Sequence, residues 1–179
     1  MESLNNLSMS DEVKRLRRLR RKALEVRAVA IYLNAAVPED RIFRIYERAA
    51  LVNWRIARIA TGKLRSHPYR NYQKDPGFFE SRVGLVRAYL KAALATIVGR
   101  GMRLFLEEIS SASRELDDAR ALTWSAELSD AFGRAQERMR SVIDEVRREV
   151  GDSADESAEL LRARGEASPN LSVSPYLAL

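Results

Sequence analysis

The chain has 179 residues, with 31 Lys and Arg against 25 Asp and Glu, a formal charge of +6, one histidine and no cysteine. The lack of cysteine excludes disulfides, zinc ribbons, iron–sulfur clusters and thiol nucleophiles, and the length allows one sizeable core rather than several. Residues 1–75 hold 17 basic and 8 acidic side chains and the remainder 14 and 17, so the positive charge belongs to the N-terminal part.

Only five basic residues are lysines: Lys14, Lys22, Lys63, Lys74 and Lys91. A guanidinium forks onto phosphate more specifically than an ammonium does. A genome that favours Arg, Ala and Val would give the same bias. Met1 to Ser10 is polar and lacks the basic-then-apolar layout of a signal peptide, so the chain is expected to be unprocessed.

Ser10, followed by Asp11 and Glu12, has the composition of a helix start, and the helix is predicted to run to about Ala36. Leu16, Leu19, Ala23, Val26, Ala30 and Leu33 step by 3 and 4 and form a heptad-like seam. Opposite it lie Lys14, Arg17, Arg18 and Arg21, flanked by Arg15, Arg20 and Lys22. Seven cations in nine residues repel one another. An anionic partner would relieve that repulsion; a solvated basic face on a helical hairpin is the plainer reading.

Pro38 interrupts the pattern, and Glu39 and Asp40 suit the first turn of a second helix ending near Thr61 and Gly62. In it Arg41, Arg44, Arg48, Arg55 and Arg58 recur at 3, 4, 7 and 3, which places them on one arc. Ile42, Ile45, Ala49, Val52, Ile56 and Ile59 form an adjoining aliphatic arc. Each arm would span roughly 35–40 Å, about one turn of a nucleic-acid duplex.

From Lys63 to Gly77 the periodicity lapses. Arg65, Arg70 and Lys74 with Tyr69 and Tyr72 would extend a nucleic-acid surface, or the tyrosines would simply pack the loop. His67 has no second histidine or cysteine to share a metal and is read as a surface residue. Asp75-Pro76 opens a predicted core helix carrying Phe79, Val83, Val86, Leu90, Leu94 and Ile97. Arg87 and Lys91 interrupt its apolar run, which favours a buried bundle helix over a membrane span.

Gly99 and Gly101 loosen that helix, Met102 to Ile109 resumes the apolar pattern, and Ser110 to Ser113 is read as a turn or cap. A further helical pattern runs from Arg114 to about Val150, with a break near Thr123 and a seam of Leu128, Phe132, Ala135, Met139, Val142, Val146 and Val150. The mixed charge on its other faces suggests packing and nothing more. After Gly151 a short helix over Ser153 to Arg164 is expected. The tail Gly165 to Leu179, with Pro169 and Pro175, would be disordered in a monomer or would dock on a neighbouring subunit.

The sequence contains no glycine-rich phosphate loop, dinucleotide fingerprint, His-Glu-x-x-His or Gly-x-Ser-x-Gly motif. The adjacent carboxylates Glu107-Glu108 and Asp117-Asp118 point about 100° apart on a helix. No catalytic residue, metal site, cofactor or small-molecule substrate is expected, and enzyme is a poor hypothesis. Arginines spaced by 3, 4 and 7 suit phosphates along a strand. With only Asn34 and Asn53 as amides between Ser10 and Ser66, sequence readout is not favoured.

The layout of a basic helical arm, a proline break, a second arginine-faced arm, a bundle and a tail resembles the major coat proteins of filamentous archaeal viruses, especially the tristromavirus type. The resemblance covers the whole chain and rests on no signature motif. It implies an all-α fold with helical arms over residues 1–66, a bundle over 67–150 and a short helix with an extended tail over 151–179. It implies a capsid subunit of the virion nucleocapsid, made inside the host, that pairs with itself or a related coat subunit and forms helical filaments. Its ligand would be linear double-stranded DNA held in the A form, with the tail contacting neighbours or an envelope. Carried over by position, Lys14, Arg15, Arg17, Arg18, Arg20, Arg21, Lys22, Arg41, Arg44, Arg48, Arg55, Arg58 and Arg65 would face the DNA. Two other readings stay open. One is a cellular helical DNA-binding regulator, suggested by Ile56 to Lys63 as the end of a recognition helix. The other is a helical adaptor whose basic face meets an acidic partner or anionic membrane surface.

Overall fold

The computed structural model describes the backbone of residues 2–36, 40–66, 76–121 and 125–166, and the side chains of 11–36, 42–66, 82–121 and 125–152. The chain is all-α. The described residues form five helices, α1 (Glu2–Ala36), α2 (Asp40–Ser66), α3 (Pro76–Ile97), α4 (Gly101–Ala121) and α5 (Ala126–Glu166), and no strand. α1 lies at the centre, against α2, α3 and α4, while α5 closes the other side against α2 and α4.

The core follows the 3–4 spacing of four helices. Leu16, Leu19, Ala23, Val26, Ala30 and Leu33 of α1 are buried, as are Ile45, Ala49, Val52 and Ile56 of α2. They share one cluster with Phe105, Ile109, Ala112 and Leu116 of α4 and with Leu128, Phe132, Met139, Val142 and Val146 of α5. Both helices expected as arms therefore bury their apolar seams in the same core as the helices expected as the bundle. Tyr46 is enclosed there, edge-on to Phe105 at 5.0 Å with its hydroxyl 3.7 Å from Met102 Sδ, and burial pushes its phenol well above the ordinary value.

Several expected boundaries move. α1 begins at Glu2, so Ser10 lies inside the helix and not at its start; residues 2–9 contain neither glycine nor proline to stop it. α2 passes through Gly62 to Ser66, and the Ser66 hydroxyl donates to the carbonyls of Gly62 and Lys63 in the last turn. Ser110 to Ser113 is no turn, because Ala112 belongs to the buried Phe105, Ile109, Ala112, Leu116 seam of α4. α5 runs unbroken through Gly151 to Glu166 instead of ending and restarting. The readings of His67, Tyr69, Arg70, Tyr72 and Lys74, and of the tail from residue 167 on, lie outside the described residues.

The turn between α3 and α4 is set by glycine. Gly99 has φ 70°, and its N–H donates to the Thr96 carbonyl at 3.1 Å while Arg100 N–H donates to Ala95 at 2.7 Å. This is the glycine-terminated helix end in which paired backbone bonds satisfy the last carbonyls. At the opposite end of α4, Ser125 starts α5: its Oγ accepts from Leu128 N–H at 3.4 Å.

The largest departure concerns α3, expected as the core helix. Its inner face is small, with Ala88 and Ala92 buried, while Val83, Val86, Leu90, Leu94 and Ile97 face outward and are 50–82% exposed. The core is already filled by the other four helices, and α3 is held to the bundle by close approach and charge. A Cβ on Gly84 would fall 2.3 Å from Glu25 Oε1, so a larger residue there would make this carboxylate swing away from the α3 backbone. Tyr89 meets Tyr32 edge-on at 6.4 Å. Lys91 of α3 donates to Glu108 Oε1 of α4 at 2.8 Å, and Lys22 of α1 donates to the other carboxylate oxygen.

That three-helix ion cluster has a definite pH signature. Burial works against ionised Glu108, but the hydrogen bonds and charges of Lys22 and Lys91 outweigh it and hold the carboxyl below its ordinary value. Its contribution to stability is therefore complete above the unfolded-state carboxylate pKa and is lost as pH falls through the lowered folded value. Glu108→Gln is expected to cost about 2 kcal/mol at neutral pH and to flatten the acid limb of the stability profile. Urea denaturation of both proteins between pH 7 and pH 3 measures this; equal slopes on the acid side would contradict it.

Candidate nucleic-acid interface

The two arginine rows meet different fates once the helices pack. On α1 most of the cations are engaged within the protein. Lys14 pairs with Asp11 at 3.3 Å, Arg15 reaches Asp118 of α4 at 3.1 Å, Arg21 lies 3.9 Å from Glu25, and Lys22 is bound to Glu108. Arg17 and Arg20 are engaged as well. Arg18 is exposed and, among the described residues, makes no ion pair. The repulsion that the sequence suggested an external anion would relieve is therefore relieved in large part by acids of α1 and α4.

The cleft between α1, α3 and α4 is an extension of this network. It has a volume of about 750 Å³ and its walls carry Arg21, Lys22, Arg87 and Lys91 alongside Glu25, Glu108 and Glu115. Burial pushes the Glu25 carboxyl up, against the opposing charges of Lys22 and Arg21. With both signs interleaved, the cleft is largely self-neutralised.

On α2 the row remains open. Arg44, Arg55 and Arg58 are exposed and make no ion pair among the described residues. Arg48 is the exception, donating to Glu145 of α5 at 2.6 Å and to Ser141 Oγ at 3.3 Å. Arg65 is exposed but engaged, and the side chain of Arg41 lies outside the described residues. The isoleucine arc beside the row is what fixes its direction: with Ile45 and Ile56 in the core, the arginine arc has to face outward.

α5 adds to this row. Arg55 converges with Arg134 and Arg138 of α5 around a groove of about 130 Å³ floored by Val52, Ile59, Ala131 and Ala135, with no acid in its lining. Sequence reasoning missed Arg134 and Arg138, because Asp130, Glu137 and Glu145 nearby made the α5 surface read as balanced. The available signal was the helix register: the residues that flank the buried seam at Ala135 and Val142 are the ones turned toward α2. On the other flank of the row stands Trp54, 40% exposed, with the Arg27 guanidinium 4.6 Å from its ring centroid.

The described amides of α2 and α5 are turned away from this face, while Asn34 of α1 lines the pocket beside Trp54. Asn53 is fully buried and donates to the Ala49 carbonyl at 2.9 Å. Gln136 is buried and accepts from Arg120 at 3.0 Å. The donors of this face are guanidiniums, with Leu51 exposed among them and Glu47 at their edge, a chemistry suited to phosphate oxygens rather than base edges. Among the described residues, no three of His, Cys, Asp and Glu group to hold a metal, and no helix is long and apolar enough to cross a membrane.

The groove makes a direct prediction. The Arg55→Ala, Arg134→Ala, Arg138→Ala triple variant should lose binding to a sulfated polyanion such as heparin, eluting from it at clearly lower salt, while its thermal midpoint changes little because all three side chains are exposed. Unchanged elution would show that the groove is not an anion site. No family model, curated relative or solved structure matches this chain.

Proposed function

We propose that this protein is a structural, non-catalytic coat subunit that binds double-stranded DNA through its phosphates and assembles along it as a helical filament. The observation that carries the reading is the unneutralised arginine face of α2, Arg44, Arg55 and Arg58, joined by Arg134 and Arg138 of α5. The row from Arg44 to Arg58 along α2 spans about 20 Å and meets several successive phosphates rather than a single anion. The inward-turned amides support sequence-independent packaging over a regulator's base readout. In this reading the DNA-facing set is narrower than the pattern of both arms suggested, with α2 and α5 in contact and α1 serving as the scaffold that positions α2.

Binding to linear duplex DNA, followed by fluorescence anisotropy across a salt series, tests this. Affinity should fall steeply with salt and be insensitive to base sequence. Arg55→Ala should lower affinity uniformly and reduce the slope of log K against log salt by about 1, the value for one phosphate contact. Arg15→Ala, whose guanidinium is held by Asp118, should leave that slope unchanged. Equal losses for the two variants would place α1 on the DNA as well. Absence of salt-dependent binding by the parent protein would eliminate the coat and regulator readings together and leave a helical adaptor for an acidic protein.

A further inference from the structure

We propose that the exposed apolar stripe of α3 is the seat for the far end of α5 from a second copy of the chain, giving a head-to-tail contact. The stripe is continuous: Leu90 is 60% exposed, Leu94 63% and Ile97 82%, with Val83 and Val86 on the same arc. Together these side chains offer on the order of 600 Å² of apolar surface, at the upper limit for a patch left open on a monomer and close to one partner's share of a standard interface.

The charge around the stripe selects the occupant. Of the charged residues described on α3 and its following turn, Arg87 and Arg100 are exposed and make no ion pair among the described residues, whereas Lys91 is held by Glu108 and Arg82 is engaged. Two α3 helices facing each other would therefore oppose like charges. The end of α5 has the complementary composition: Asp152, Asp155, Glu156 and Glu159 outnumber Arg162 and Arg164. In the sequence of that end, Ala154, Ala158 and Leu161 recur at helical spacing.

Length supplies the reach. Arg48 of α2 lies beside Glu145 of α5, and the two helices run in opposite directions, because Arg55, farther along α2, meets Arg134 and Arg138. The start of α2 at Asp40 is thus level with about Gly151. α5 continues to Glu166, a further 20 Å or so beyond the helices it packs on. α3, parallel to α1 as the pairs Gly84 with Glu25 and Tyr89 with Tyr32 require, is separated from α5 by the width of the bundle. One copy's α5 end is therefore presented to another copy rather than to its own α3. A contact between two different surfaces propagates instead of closing on itself unless a ring forms.

The contact needs no nucleic acid and is tested without it, so its failure leaves the DNA-binding reading standing. Because the chain has no cysteine, Leu94→Cys accepts a single maleimide benzophenone. Irradiating a mixture of isotope-labelled and unlabelled full-length protein, then mapping the mixed cross-links by mass spectrometry, should place them in residues 150–166 of the other copy. As a second arm, Leu90→Glu with Leu94→Glu should raise the dissociation constant in sedimentation by at least about a hundredfold with helix content unchanged. Mixed cross-links to α3 itself would overturn the proposal in favour of a symmetric pair. A monomer at every concentration would overturn it outright, as would adsorption to anionic vesicles without self-association.

Discussion

The burial of α1 between α2, α3 and α4 is the constraint on which the rest of the structure depends. Its seam combines leucines with Ala23 and Ala30, both fully buried, so neighbouring helices approach closely on more than one side. Once that seam is fixed, the basic residues of α1 are carried to its edges, where Asp118 and Glu108 of α4 meet them. α2 packs against the same helix through its isoleucines, and its arginines have nowhere to go but outward. The direction of the candidate interface is thus a consequence of apolar packing. Burying the isoleucine arc stabilises the fold and at the same time points the guanidiniums into solvent.

Charge placement then divides the molecule into surfaces of different character. Along α1 and α4, cations and anions neutralise one another within the protein, and the ion cluster of Lys22, Glu108 and Lys91 ties α3 to the bundle where hydrophobic contact is thin. Such partly buried pairs contribute chiefly through what their loss would leave unpaired. Along α2 and the facing part of α5, guanidiniums gather without acids in the groove between them. α3 presents a third character, aliphatic and flanked by bases. A protein that binds a long polyanion and also associates with its own copies needs surfaces of these kinds, and here they lie on different sides of one bundle.

Much of this was legible in the sequence, within physical limits that particular residues make clear. The 3–4 steps of Leu16 to Leu33 and of Leu128 to Val146 correctly identify buried seams, because periodicity reports that a helix has an apolar face. Periodicity does not report what covers that face, which is why the equally regular Val83 to Ile97 row was expected inside and lies outside. Ser110 to Ser113 misled because serine favours caps, yet the Phe105, Ile109, Ala112, Leu116 spacing ran through it and tertiary burial overrode local preference. At the site, the α2 row could be read directly. The neutralisation of α1 could not, since Asp118 is 103 residues from Arg15 and Glu108 is 86 from Lys22. Arg134 and Arg138 were hidden for the same reason: local charge balance says nothing about which helix lies opposite.

Packing exposes an arginine face on α2, and the proposed function has that face run along duplex DNA in a repeating assembly. Electron microscopy of the full-length protein, with and without linear duplex DNA of defined lengths, tests it most directly. The account predicts filaments of constant diameter whose length follows that of the DNA. Discrete particles of fixed size, the same on short and long duplexes, would contradict it.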